Sequence, residues 1–270
     1  MNILHWNIEA GGYASYASTD KYPKKMNKIV EAIGAIGADF VSLVDVYRWG
    51  NVYTVEELKK MFGYSQVFLT ELEDKNLPFC RNKLGVLTMT NDHEVKFEKI
   101  RAYDRNFIKT TLTTKNIELD IFSIHLNHLG EEIRKKEASA LLKYNRSRPT
   151  IIVGDFNTID EADLETTKRI TDNPIIKLGT MIKKSRPIIK GMYPATVTKI
   201  FKQAGLTDWG EGKGNTYPSF KVPLILNGPA ARLDYAFGSK DIKLIKFEVL
   251  KHKKYDQLSD HYPILVEIEV

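Results

Sequence analysis

Eleven apolar runs of strand length, spread over the whole chain and interrupted by only a few helical stretches, set the class of fold. They cover residues 3–8, 39–46, 66–69, 84–89, 95–100, 107–113, 117–126, 150–156, 233–238, 242–250 and 264–270. Several are rich in Val, Ile, Phe and Thr, which favour a pleated, half-buried backbone. Runs 39–46 and 151–153 are apolar almost without a break, as strands covered on both faces are. Four segments carry helical spacing instead. Met26, Ile29, Val30, Ile33 and Ile36 recur at the helical period up to Gly37. Thr54 and Glu57 form a capping-box pair ahead of a helix that ends near Gly63: the hydroxyl takes a free backbone N–H of the first turn and the carboxylate reaches back. Residues 131–144, with Ile133, Leu141 and Leu142 facing inward, and residues 197–204, stopped by Gly205, are the other two. The expected fold is α/β, a four-layer sandwich of two mixed β-sheets packed face to face with helices outside. With no repeat, low-complexity tract or linker in 270 residues, residues 1–270 are expected to form one domain.

Composition narrows the function classes. The chain is 43% hydrophobic and 27% charged, an ordinary globular balance, and no apolar run reaches the ~18 residues of a membrane span. Cys80 is the single cysteine, which excludes an internal disulfide framework and a cysteine-based zinc site. No signal peptide is visible after Met1, so a cytoplasmic location is expected, and a monomer is the default. A net charge of +6 is compatible with a polyanionic partner. Lys177, Lys183, Lys184, Arg186 and Lys190 stand among Pro174, Pro187 and Pro194 in an irregular basic stretch, a solvated loop or one wall of a polyanion groove.

The apolar runs end on polar residues. Asp155 and Asn157 close one run, two apart, so that in an extended chain they point to the same side, and Gly154 permits close backbone approach. A turn built on Asp and Asn is the plainer alternative. In Ser259-Asp260-His261 the neighbours point oppositely, so Asp260 is expected to reach a metal or a metal-bound water while His261 faces phosphorus. Asp234 is then the carboxylate that fixes the His261 tautomer. His125, followed by Asn127 and His128, exits the 117–126 run; an imidazolium there would bind a phosphate oxygen or protonate a leaving group. Asn7, inside an apolar run, demands partners, as a strut or a metal-side ligand. Asp45, at the end of a buried run, is costly unless paired or metal-bound. Hard oxygen donors without thiolate point to Mg2+ or Mn2+. Arg105 and Lys109 are candidates for a basic groove.

The ordered set Trp6-Asn7, Asp45, His125-Leu126-Asn127-His128, Gly154-Asp155-Phe156-Asn157, Arg232-Leu233-Asp234-Tyr235 and Ser259-Asp260-His261-Tyr262-Pro263 resembles the endonuclease/exonuclease/phosphatase superfamily, over residues 7 to 263. The resemblance implies the four-layer sandwich and phosphoester cleavage with Mg2+ or Mn2+. It implies that Asn7, Asp45, Asp260 and Asp155 serve the metal, and that Asp155 and Asn157 hold metal, water or phosphate. It further implies that His261, oriented by Asp234, is the general base or a transition-state stabiliser, and that His125 contacts the phosphate. Substrate contacts are expected from Asn127, Arg105, Lys183, Lys184 and Arg186. One departure stands out: the family tract Leu-Gln-Glu is here Leu43-Val44-Asp45, and Asp sets its carboxylate back by roughly 1.5 Å, one C–C bond. The histidine at position 125 argues against abasic-site cleavage, because AP endonucleases lack it. The expected activity is a nuclease acting on DNA or RNA. The alternatives are a phosphatase or phosphodiesterase acting on small or lipid phosphates and a catalytically weakened binding module.

Overall fold

Each of two six-stranded sheets is built around one parallel strand pair, and that decides where its polar strand ends gather. The computed structural model describes residues 1–73, 83–103, 105–114, 117–144, 147–165, 167, 196–217 and 231–269. Across the first sheet the strands run β11 (Lys243–Val249), β12 (Ile264–Glu269), β1 (Asn2–Asn7), β2 (Phe40–Val44), β4 (Lys83–Thr90) and β3 (Gln66–Glu73). Across the second they run β5 (Val95–Ala102), β6 (Arg105–Thr114), β7 (Ile117–His125), β8 (Thr150–Asp155), β10 (Asp234–Ser239) and β9 (Leu206–Asp208). β1 with β2 and β7 with β8 are parallel, and all other pairs are antiparallel. The carboxyl ends of the four parallel strands therefore share one rim with the amino ends of β10 and β12, the usual place for ligands in open α/β sheets.

Alternation along the strands divides their side chains between two cores. Leu119, Ile121, Ile151, Val153 and Ala236 of the second sheet join the first sheet's residues in the core between the sheets. Phe122, Ile124, Ile152, Tyr235 and Phe237 face the other way, onto Ala138, Leu141, Val197 and Phe201 of the outer helices α3 (Glu131–Leu141) and α4 (Val197–Gln203). The helices α1 (Met26–Ile36) and α2 (Val55–Phe62) cover the first sheet with Ile29, Ile33, Leu58 and Phe62. The capping box of α2 is present, and its helix stops at Gly63, whose φ of 73° suits glycine. The four-layer sandwich is thus in place, with all eleven predicted runs as strands. β9 is additional; three residues, Leu-Thr-Asp, carry no pattern a sequence reading can catch. No helix among the described residues is long and apolar enough to cross a membrane.

The inward face of α3 needs correcting. Ile133 and Leu142 are only half-buried, and the buried side is Glu131, Arg134, Glu137, Ala138 and Leu141. Charged residues go inside here because they satisfy one another and neighbouring backbone, as described below.

β7 and β8 approach so closely at Gly154 that an added Cβ would lie 2.1 Å from the Ile124 carbonyl oxygen. Gly154→Ala must push the two central strands apart, at the ~1–3 kcal/mol typical of overpacking, and should lower the melting temperature by several degrees. Gly34, exposed in the last turn of α1 with nothing within 4 Å of its missing Cβ, is the contrast: Gly34→Ala should raise it. Thermal denaturation of the two variants checks both signs.

Candidate active site

Asp234 has no solvent exposure and is gripped by two imidazoles. Ionised, it can only accept, so His261 donates Nδ1–H to its Oδ2 (2.7 Å) and His5 donates Nε2–H to its Oδ1 (3.1 Å). His5 Nδ1 then accepts from the Ser42 hydroxyl at 3.2 Å. This arrangement fixes the His261 ring and turns Nε2 outward, 3.9 Å from both Asp155 Oδ2 and Asp260 Oδ1. The His261 backbone is held as well: its carbonyl accepts from Trp6 Nε1 (2.8 Å), and Ser259 Oγ links its N–H (3.1 Å) to the Asn7 carbonyl (2.6 Å). Burial opposes charge on His261, but Asp234, with Asp155 and Asp260, wins and raises its pKa to about 10. Burial likewise opposes charge on Asp234, and the two imidazoles overcome it, keeping the carboxyl well below the usual range.

Asp155 stands at the centre of the rim. Its Oδ2 accepts from Asn7 Nδ2 (2.8 Å) and lies 3.6 Å from His125 Nε2; its Oδ1 accepts the Asn157 N–H at 2.8 Å. Burial raises its pKa to about 6, with the Asp234 charge adding to the rise and His261 opposing it. A second group of carboxylates, Glu9, Asp45 and Asp260, lies alongside. Burial and the Asp260 charge push Glu9 up to about 7, against Lys25, whose Nζ is 3.9 Å from its Oε2. Burial raises Asp260 too, with Asp45 and Asp155 adding to it and His261 opposing. Like charges crowded this way stay apart in protonation or accept a cation.

The loop after β1 is clamped onto the end of β2. Asp45 Oδ2 accepts the Ala10 N–H (3.1 Å) and the Tyr16 hydroxyl, and the Asp45 carbonyl accepts the Gly11 N–H (2.8 Å). Glu9, Ala10, Gly11 and Gly12 all take positive φ, as does Asp45 itself (59°). A Cβ on Gly11 would meet the Tyr47 backbone at 2.6 and 2.7 Å, so only glycine fits there. Non-glycine residues at positive φ cluster at functional sites, where the surroundings impose them. Asp45 Oδ1 is left buried without a hydrogen-bond partner. An orphaned hard oxygen beside Glu9 and Asp260 fits a divalent cation. Asp155, Asp234 and His261 also present ligand atoms within 4.8 Å of one another. Because both Asp234 oxygens and His261 Nδ1 are already engaged, that trio suits proton handling better than ion binding.

Several sequence expectations change here. Asn157 and Asp155 do not converge by strand alternation: Asn157 lies past the strand end at φ 48°, and its Nδ2 donates to the Leu126 carbonyl (2.9 Å). Asn127 is fully buried, its Oδ1 accepting the Leu129 N–H (2.7 Å) and its backbone held by Glu137 (2.7 Å) and Arg134 (2.9 Å), so it shapes the loop instead of meeting substrate. Glu131 extends this buried network to Thr158, Thr196 and Val197. The environment disfavours an imidazolium at His125: burial, with the Arg105 charge and neighbouring imidazoles, pushes its pKa well below normal. Lys109 is buried against Asp120 (3.1 Å) and takes no part in a groove. Arg105 is buried close enough for its charge to act on both Asp45 and His125. Lys183, Lys184 and Arg186, with the whole basic stretch 172–195, lie outside the described residues.

Four residues were not anticipated. His5 sits two before Asn7, and period-two alternation alone would have put both on one face. Glu9 follows the same step further. Tyr16 and Tyr217 carry no local signal; Tyr217 places its ring centroid 5.0 Å from that of His261. A cavity of about 530 Å³ at the opposite rim, walled by Gly37, Asp39, Tyr64 and Asp92, holds none of these side chains.

Comparison with known proteins adds to this geometry. The model of the endonuclease/exonuclease/phosphatase family matches residues 4–261. No curated protein matches the sequence. An AP endonuclease structure from Archaeoglobus fulgidus superposes with a TM-score of 0.68 at 11% identity, covering 100% of both chains. A family protein from Leptotrichia buccalis gives 0.66 at 17% identity, also over 100% of both. A mannosyl-6-phosphatase from Bacteroides thetaiotaomicron gives 0.59 at 13% identity over 100% of both. At these identities the superpositions show the shared fold.

Glu9 and Asp155 bind protons more tightly folded than unfolded, so metal-free stability falls as pH rises from about 4 through about 6 and about 7. The stability His261 adds is complete below about 6.5 and is lost toward about 10, the same direction. Asp234, held low, is already fully stabilising above the carboxylate range and adds no slope there. The melting temperature in EDTA should therefore decline from pH 5 to 9. Mg2+, which competes with those protons, should raise it more at pH 8 than at pH 5. A flat Mg2+ effect across that range would contradict a cation among these carboxylates.

Proposed function

The chain belongs to the endonuclease/exonuclease/phosphatase family, and on that premise we propose that it is a Mg2+- or Mn2+-dependent phosphodiester hydrolase, a nuclease that cleaves DNA or RNA by in-line attack of water. The observation that carries this is the His261–Asp234 pair at 2.7 Å, with Nε2 turned toward Asp155 and Asp260. Asp234 keeps the Nδ1 proton in place, so a proton taken from water goes to Nε2, and the imidazolium that results faces the carboxylate that stabilises it. Asn7, Asp45, Asp155 and Asp260 would hold the cation, with Glu9 joining them. A cation bound there supplies positive charge against the phosphoryl and leaving oxygens and weakens the potential that otherwise keeps a proton on His261. His125, whose pKa burial pushes down, can donate one hydrogen bond to a phosphate oxygen and take up a proton as negative charge arrives. Asn157 and Arg105 support the same phosphate. Its leaving oxygen would be protonated from this His125 side.

Preference for a diester follows from charge. A diester brings one negative charge toward a rim rich in carboxylates, a monoester nearly two, and the repulsion differs accordingly. The basic balance of the chain favours a polyanion. A sugar phosphate stays in the comparison, because a mannosyl-6-phosphatase shares the fold.

A panel of single- and double-stranded DNA, RNA, inositol phosphates, mannose 6-phosphate and bis(p-nitrophenyl) phosphate, each with Mg2+, Mn2+ or EDTA, tests the reading. Nucleic acid should be cut with metal and spared with EDTA; no cleavage at high enzyme concentration would overturn the nuclease assignment. His261→Ala should reduce turnover by the ~10²–10⁴-fold typical of a positioned acid–base group. Asp45→Glu should lower both turnover and Mg2+ affinity, since the loop 9–12 is built around the shorter side chain. A gain in either, seen by calorimetric titration, would mean the site is a weakened one.

A further inference from the structure

The chain leaves β11 on the same rim as the candidate site. Val249 is in register with Ile264, and Leu250 N–H donates to the Pro263 carbonyl at 2.9 Å. The turn that follows, Lys251-His252-Lys253-Lys254, is exposed at all four residues. It is tied to the His261 segment. Tyr255 meets Trp6 edge-on at 5.5 Å, Trp6 donates to the His261 carbonyl, and Lys25 Nζ donates to the Leu258 carbonyl at 3.2 Å.

Lys24, Lys59, Lys135, Lys243 and Lys246 sit in ion pairs with nearby carboxylates, whereas among the described residues other exposed lysines, such as Lys96, Lys99 and Lys240, stand singly on other surfaces. Among the described residues no carboxylate pairs with Lys251, Lys253 or Lys254, and residues 249–255 and 212–233 contain no Asp or Glu. Lys251 Nζ would lie 2.9 Å from a Cβ on Gly214. Three residues on, a chain span of at most about 10 Å, Tyr217 lies half-exposed against the His261 ring. The Tyr262 N–H, donating to the Thr216 carbonyl at 2.9 Å, locks this segment to the His261 loop. Imidazole, aromatic face and ammonium groups without a carboxylate partner thus follow one another along the rim, Lys254 Nζ lying 4.9 Å over the Tyr255 ring.

Resting on the nuclease reading above, we propose that Lys251, Lys253 and Lys254 form a backbone-phosphate rail, with Tyr217 as a stacking face, that holds a nucleic-acid strand beyond the phosphate being cleaved. A small phosphodiester ends at the His261 side and has nothing to offer a rail. A polynucleotide carries a regular series of single negative charges, and base faces stack on an aromatic ring without regard to sequence. An anionic membrane surface is the other partner such charge could meet. Among the described residues the exposed large hydrophobics are Tyr22, Val55, Tyr103, Ile117, Leu129 and Ile245, and none lies in this turn to enter a bilayer.

The test is binding in EDTA, where no turnover occurs, of a labelled single-stranded oligonucleotide by fluorescence anisotropy across a salt series. The triple variant K251Q/K253Q/K254Q is compared with K96Q/K99Q/K240Q, which removes the same charge from exposed positions on β5 and after β10. The rail variant should reduce the slope of log affinity against log salt by about 2, three contacts at about 0.7 each, while the control keeps the parent slope. Equal slopes in the two variants would overturn the rail. So would loss of binding to phosphatidylserine vesicles with oligonucleotide binding intact, which would make the turn a membrane contact. A reduced slope in a protein that cuts no nucleic acid would uphold the rail and sink the nuclease reading, so the two failures are distinct.

Discussion

A carboxylate with no access to water, Asp234, joins the two sheets of this protein through two imidazoles. His5 belongs to β1 of the first sheet, His261 leads into β12 of the same sheet, and Asp234 opens β10 of the second. A buried charge is tolerated only when its lone pairs are met, and here both oxygens are. The contact therefore does two things at once. It fixes the distance between the sheets at the rim, and it sets which nitrogen of His261 is left to do chemistry.

Around this contact the rim is electrostatically unsettled. Asp155, Asp45, Asp260 and Glu9 converge from four different segments, and burial raises each of them. The loop after β1 is held in a run of positive φ angles against the end of β2 by Asp45 and by a glycine that nothing larger could replace. Backbone strain and charge crowding on this scale are tolerable when a bound cation and an anionic substrate complete the site, and they leave the empty site as the less favoured form. Behind it charges are paired instead of crowded. Glu131 and Arg134 form an ion pair on α3 with Glu137 buried beside them, and the three hold the Asn127 and Thr158 loops from below. A paired ionic network underlies the crowded one.

The difference between two rim carboxylates, Asp45 and Glu9, illustrates how shape overrides list. Asp45 is shorter by one methylene than the residue the family pattern has there, and the structure does not compensate by moving a longer side chain in. It turns the Asp45 backbone into the left-handed region, uses one oxygen to clamp Ala10 and Tyr16, and leaves the other free of hydrogen bonds. Glu9, on the clamped loop, lies beside Asp260. The loop and the strand end have to be read as one unit.

Much of the architecture was legible in the sequence because its causes are local. Strand runs, the Thr54–Glu57 cap, glycine stops after α1, α2 and α4, and the burial of β2 and β8 on both faces depend on residues within a few positions of one another. The polar residues that close the apolar runs, Asp45, His125 and Asp155 among them, are the ones the rim brings together. Tertiary structure alone decided which polar residues meet water and which meet each other. Asn127 and Lys109 look like any surface polar residues until Glu137, Arg134 and Asp120 arrive from other elements. The His125 pKa is pushed down by burial and by Arg105 on a neighbouring strand. His5, two residues from Asn7, matters only because Asp234, 229 positions away, comes within 3.1 Å. Local sequence fixes backbone conformation through sterics and capping, whereas desolvation and Coulomb forces depend on distances in space that no stretch of chain contains.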